Sequence, residues 1–171
     1  NIPIKVLGSE RGISNIEPIP FAETKSTNYA CLVLPEGIES ECNKLFKFSL
    51  LCAEMTPEIT YIWRLHPILS FQKLQKGNFR FKNLPSNVIL SSDTIENDIA
   101  KSSWALYRGT TAIYKAMSQG LRPIYLSEMS EMTIDPLYGL GSERIVVETV
   151  SDFLSCVKIR NSEVQHEKIC N

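Results

Sequence analysis

Short apolar runs alternate along this chain with segments whose apolar residues recur every three or four positions. Tyr29–Leu34 (Tyr-Ala-Cys-Leu-Val-Leu) is continuously apolar, the pattern of a strand buried on both faces. Pro35-Glu36-Gly37 breaks that run. Leu45, Phe48, Leu51 and Cys52 then follow helical spacing, which predicts a helix over about 38–54, ended by Pro57. Ile59–Leu65 reads as a second strand, closed by His66-Pro67. Residues 68–87 read as a short helix or loop with a basic, aromatic tail, and Val88–Leu90 as a third strand. Asp93 as N-cap, with Glu96 at the third helical position, predicts a capping box on a helix across 94–101. Trp104–Tyr107, Pro123–Leu126 and Arg144–Thr149 read as further strands, and Thr111–Gln119 and about 151–159 as helices.

Strands alternating with helices on short connections predict an α/β fold. The expected form is a Rossmann-like, doubly wound parallel sheet of about six strands in three α/β/α layers. Residues 28–160 carry this pattern. Residues 1–27 begin strand-like over 1–8 and continue as a loop rich in Pro, Ser and Asn, an expected interdomain or lead-in segment. Residues 161–171 form a polar tail that includes His166. Trp63 and Trp104 lie within apolar runs and are expected in the core. Cys31 and Cys52 are expected as buried thiols, and Met129 and Met132 as packing residues, with a place at a pocket mouth as the alternative.

Composition narrows the function classes. The 171 residues are 43% hydrophobic and 22% charged, as in a single soluble domain. Eighteen basic and 19 acidic residues give a net charge of −1, which carries no footprint for nucleic acid. No apolar run approaches the roughly 20 residues of a membrane-spanning helix, so no transmembrane segment is expected. The five cysteines are odd in number and form no CxxC pair, which favours a reduced, cytoplasmic setting over a disulfide scaffold. There is no zinc or EF-hand spacing, so no metal is expected. P-loop, GxGxxG and GxSxG motifs are also missing.

A doubly wound sheet takes its ligand at the carboxyl ends of its strands, near the point where strand order reverses. Four corners follow predicted strands there. Arg108-Gly109-Thr110-Thr111 combines a guanidinium, a Gly open to close approach, two hydroxyls and free backbone N–H groups, which suits a phosphate. The plainer account of its threonines is a helix cap. In Arg64-Leu65-His66-Pro67, His66 can donate to a phosphate or act as an acid, and Arg64 can pair with phosphate or with Glu36. In Pro35-Glu36-Gly37, Gly37 allows close approach, while Glu36 can bind a sugar hydroxyl or take part in catalysis. Ser91 and Ser92 can reach ribose or phosphate beside the Asp93 cap. Glu128 and Glu131, after the fifth strand, are further carboxylates able to meet ribose hydroxyls.

In the order of these corners the chain resembles the C-terminal, donor-binding half of GT-B glycosyltransferases. The style is that of bacterial enzymes of surface-carbohydrate synthesis. Val33-Leu34-Pro35-Glu36-Gly37 resembles the family's opening strand and Gly-containing turn. His66-Pro67 resembles the His-Pro motif of several inverting members, and Ser91-Ser92 or Thr110-Thr111 their Ser/Thr motif near the phosphate. Ala112–Ile124, with Ala116-Met117 and Gly120-Leu121-Arg122-Pro123, is similar to the family's EAM…G.P segment. Retaining members commonly carry two glutamates eight positions apart, the second just before Ala-Met. Here Lys115 precedes Ala116-Met117 and Tyr107 lies eight positions earlier, which favours the inverting type.

The resemblance implies a nucleotide-sugar donor as substrate, no separate cofactor, and a glycan acceptor of surface polysaccharide or lipopolysaccharide synthesis. It implies catalytic roles for His66 and Glu36. Gly37, Arg64, Ser91, Ser92, Arg108, Gly109, Thr110 and Thr111 would bind the donor. A complete GT-B enzyme has two such units, so the acceptor would be met through an N-terminal domain outside this chain. The chain would then be the donor-binding half, inactive alone, and cytoplasmic or peripheral at the inner membrane through that domain. The rival expectations are a non-catalytic nucleotide-binding module completed by a partner, and a nucleotide-sugar epimerase-like enzyme.

Overall fold

A computed structural model describes residues 29–139 and 145–157. The expected strands at 1–8, the lead-in segment and the polar tail with His166 lie outside the described residues. The described chain runs β1 (Ala30–Leu34), α1 (Glu39–Met55), β2 (Thr60–Trp63), α2 (Phe71–Gly77), a 3-10 turn (Phe79–Lys82) and β3 (Val88–Leu90). It continues with α3 (Ile95–Ala100), β4 (Trp104–Tyr107), α4 (Ala112–Ser118), β5 (Arg122–Leu126) and β6 (Ile145–Val147). A last helix, α5, is described over 150–157.

The six strands form one sheet in the order β3-β2-β1-β4-β5-β6, and every pairing is parallel. This is the three-layer, Rossmann-like α/β/α arrangement that the alternation of elements predicts. Period-two geometry sends successive strand residues to opposite faces. Val33, Trp63, Leu106 and Leu126 pack on one side with Leu45, Phe46 and Leu50 of α1, Leu74 of α2 and Phe153 of α5. Leu32, Leu34, Ile62, Ala105 and Tyr107 pack on the other side with Ile99 of α3 and Ile113 and Ala116 of α4. The first helices cover one face and the middle helices the other, as double winding requires. Trp63, Trp104, Cys31 and Cys52 are all buried, as their apolar surroundings in sequence suggest.

Trp63 stacks on Phe46 with ring centroids 4.1 Å apart, and Phe81 of the 3-10 turn meets its edge at 5.3 Å. This aromatic group fastens the α1 and α2 layer to the sheet. Polar groups close the amino end. Thr56, at the end of α1, donates to the Cys52 carbonyl at 2.7 Å, and its hydroxyl meets the Tyr61 hydroxyl at 2.8 Å. Asn87 donates its side-chain amide to the carbonyls of Ala53, Thr56 and Ile59, at 3.0, 3.1 and 3.0 Å.

Three local expectations need correction. The cap of α3 is Thr94, whose hydroxyl accepts the Asn97 N–H, so the Asp93–Glu96 capping box does not form. Asp93 instead accepts from the Thr94 N–H, the Asn97 amide and Lys101, while Glu96 pairs with Lys115 of α4. Asp93 finds three donors within reach, and its carboxyl is held down to about 2 by them. The Thr111 side chain makes no cap bond on α4; the Thr110 hydroxyl accepts the Ala112 N–H instead. Met129 and Met132 are 86% and 90% exposed, because the loop after β5 turns them outward rather than into the core.

Replacing Asn87 by Ala removes the amide donor from the Ala53 and Ile59 carbonyls, while the Thr56 carbonyl keeps the Ile59 N–H. The expected loss is about 1–3 kcal/mol of stability, read from urea unfolding; a neutral substitution would show that water replaces the amide.

Candidate functional site

Strand β1 bonds to β2 on one edge and to β4 on the other, and the winding of the chain reverses between these neighbours. Leu34 lies in register with Tyr107, so Pro35-Glu36-Gly37 and Arg108-Gly109 leave the sheet side by side. Val33 lies in register with Trp63, which brings Arg64-Leu65-His66 to the other flank of the same corner. The Arg64 N–H bonds the Val33 carbonyl at 3.1 Å and continues this alignment one residue beyond β2.

Three of the four corners therefore meet. A Cβ on Gly109 would lie 2.6 Å from Glu36 Oε2, so the Glu36 carboxylate rests against the bare face of this glycine. Gly109 also has φ of +69°, a conformation that other residues enter at a cost. A Cβ on Gly37 would lie 3.1 Å from His66 Nδ1 and 2.8 Å from the Ile68 side chain. His66 Nδ1 accepts the Ile68 N–H at 3.4 Å, which leaves Nε2 to carry the proton of the neutral ring. Ile134 approaches Gly109 from the loop after β5 and walls the crevice on that side. The fourth corner, Ser91-Ser92-Asp93, follows β3, two strands from β1, or roughly 10 Å at the usual strand spacing.

Burial pushes the Glu36 carboxyl above its ordinary value, and the nearby Glu41 adds to the rise, while Arg108 and His66 oppose it. A carboxyl placed this way holds a proton more readily than a solvated one.

The two arginines are employed differently. Arg108 is buried, and all three of its guanidinium nitrogens are engaged: Nε on Glu41, Nη2 on Glu131 and Nη1 on the Leu126 carbonyl at 2.9 Å. Lys44 joins the same carboxylates and also meets Glu128 at 3.1 Å. This network ties α1, the end of β4 and the loop after β5 together, and it occupies Glu128 and Glu131. Among the described residues, Arg64 bonds through Nη1 alone, on the Asp93 carbonyl at 2.7 Å and Asp98 Oδ2 at 2.8 Å. It pairs with Asp98 rather than Glu36. Ser91 donates to the same Asp98 oxygen at 2.7 Å and accepts the Asp93 N–H at 3.1 Å. Ser92 and Thr111 are exposed, and Thr110 is buried.

Reading by sequence did not find Glu41, Asp98, Ile68 or Ile134. Glu41 looks like an acid favourable to the positive end of α1, and nothing local marks its partner 67 positions away. Asp98 carries a weak signal, as an acid inside an apolar helix face. No family model matches the chain, and no curated protein is significantly similar to it.

The geometry sets two outcomes. Gly109→Ala is expected to cost about 1–2 kcal/mol from the left-handed backbone. Glu36 can swing its carboxylate aside, so the same loss should persist in a Glu36→Ala background; a loss that vanishes there would trace to the clash instead. The second outcome concerns pH. A carboxyl raised in the fold keeps its proton to higher pH than in the unfolded chain, so its contribution falls as pH rises through that raised value. Glu36→Gln should therefore be more stable than the wild type at pH 7. Urea midpoints should converge as pH drops below the ordinary carboxylate range; a difference constant with pH would contradict the raised value.

Proposed function

We propose that the crevice at the β1–β4 reversal binds a nucleotide sugar, as the donor half of a glycosyltransferase of the GT-B type and inverting class. The meeting of Glu36, Gly37, His66 and Gly109 at the carboxyl edge, where an open α/β sheet takes its ligand, carries this reading. Gly37 and Gly109 let His66 and Glu36 lie close to the main chain, where both can reach the donor. His66 donates from Nε2 to the departing phosphate, whose charge grows as the bond to the anomeric carbon breaks. The N–H groups of the Gly109-Thr110-Thr111 turn and the open nitrogens of Arg64 add further donors to that phosphate. Glu36 accepts from sugar or ribose hydroxyls, and its readiness to hold a proton suits it to proton transfer. Ser92 offers a free hydroxyl toward the ribose end.

Arg108 takes a positioning role in this scheme. Its nitrogens are committed, and drawing this buried guanidinium off Glu41 to meet a ligand would leave charge unpaired away from water. It holds the β4 corner in place while His66 and the backbone meet the ligand. The acceptor is a glycan of surface polysaccharide or lipopolysaccharide synthesis. It would be presented by a second unit, because the described residues form one Rossmann-like sheet.

Thermal shift with CMP, CDP, UDP, GDP and ADP tests the reading. A nucleotide at 100 times its dissociation constant adds about 2.7 kcal/mol of stability. With the nucleotide found, His66→Ala should weaken binding by roughly 1–3 kcal/mol in calorimetry. Unchanged affinity in a variant that melts like the wild type would reject the crevice as the phosphate site.

A further inference from the structure

Between Glu58 and Asp93 the chain carries five Lys or Arg residues and no acid, although its net charge is −1. Most of this positive charge falls on α2 and the 3-10 turn. Lys73 pairs with Glu39 and Arg80 with Glu54, whereas Lys47, Lys76 and Lys82 are exposed and make no ion pair among the described residues. The Arg80–Glu54 bond seats the 3-10 turn against the last turns of α1. Apolar side chains stand out from the same region: Phe79 is 79% exposed, Met55 64% and Leu51 40%. Glu58 is the acid of this neighbourhood left without an ion-pair partner.

We propose that this surface, built from the C-terminal half of α1, α2 and the 3-10 turn, seats the protein on a bilayer with anionic headgroups. Lysines without partners are drawn to the negative surface potential, and Phe79, Met55 and Leu51 enter the boundary between headgroups and acyl chains. A nucleic acid rewards the lysines and can stack a base on Phe79, but it has no use for the aliphatic Met55 and Leu51; a bilayer uses all of them. The attachment is peripheral, since no helix among the described residues is long and apolar enough to cross a membrane. It also sets an orientation. Thr56, which ends α1, accepts the Ile59 N–H beside the start of β2, and Arg80 bonds Glu54 in the last turn of α1, so Met55, Phe79 and Lys82 lie toward the amino ends of the strands, while Lys73, paired with Glu39, marks the opposite end of the patch. The crevice opens at the opposite, carboxyl edge and faces away from the lipid. The proposal does not depend on what the crevice binds.

Sedimentation of the full-length protein with vesicles tests it, using pure phosphatidylcholine and phosphatidylcholine with about 30 mol% phosphatidylglycerol. Partition onto the anionic vesicles only, reversed by high salt, is expected. Each lysine near such a surface is worth about five-fold in partition, so Lys76→Glu with Lys82→Glu should lower it at least about 25-fold. Phe79→Ser should lower it about ten-fold, and Met129→Ser, exposed elsewhere, should leave it unchanged. These side chains are exposed, and matching circular dichroism melts establish that the variants fold. Absence of any preference for anionic vesicles would overturn the proposal. So would loss with the lysine variant but not with Phe79→Ser, which marks a polyanion surface, or equal loss with Met129→Ser.

Discussion

Strand β1 is hydrogen-bonded along both edges, and the chain changes its direction of travel across the sheet between its two partners. Much of the rest follows from that pairing. Parallel register aligns the carboxyl ends of β2, β1 and β4, so three connections with no sequence proximity begin at one place. The connection after β1 cannot continue straight, because the neighbouring connections turn opposite ways to reach helices on opposite faces. Glu36 and His66 stand on either side of this reversal. The glycines at 37 and 109 are what allow these side chains to lie so near the backbone. With a Cβ at either position, the same two side chains would have to shift outward.

The second organising feature is how charge is distributed around the reversal. Arg108 and Lys44 serve three carboxylates from α1 and the loop after β5, and no nitrogen of the buried guanidinium remains open. Glu36 lies beside this network without joining it, which is why burial and Glu41 prevail over the pull of Arg108. The cation that looks most available in sequence is thus a brace, and the less conspicuous Arg64 keeps donors open. The centre of this network is stiff, since removing Glu41 leaves the buried Arg108 guanidinium short of a counter-charge away from water. Stiffness at the β4 corner keeps Gly109 against Glu36. Taken with the proposed membrane patch at the other end of α1, the molecule separates a rigid, ligand-facing edge from a basic and apolar one.

The strand and helix order was legible because burial on two faces demands unbroken apolar runs, and helices announce their buried stripe by spacing. Residues 29–34 and 104–107 show this directly. The corner residues were legible for a related reason. Once the strands are known, the positions just after them are known too, and glycines there stand out. Capping was read less well. Asp93 and Thr94 are adjacent candidates for one role, and Lys101, at the far end of α3, holds the Asp93 carboxylate away from the cap position. Met129 and Met132 read as packing residues because hydropathy alone cannot tell an apolar side chain in the core from one on an outward loop.

The α/β class, the position of each described strand and the residues standing at the carboxyl edge all follow from local pattern along the chain. Those features are local: they depend on periodicity, on runs of apolar residues and on glycine. Tertiary structure alone decided which corners touch, that Glu36 rests on Gly109, and that Arg108 belongs to Glu41 and Glu131 while Arg64 belongs to Asp98. Ion pairs join residues 23 to 67 positions apart in the chain, and the distances that select one carboxylate over another exist only after the strands align. Electrostatic partnership falls off with distance in space, which a linear sequence does not record.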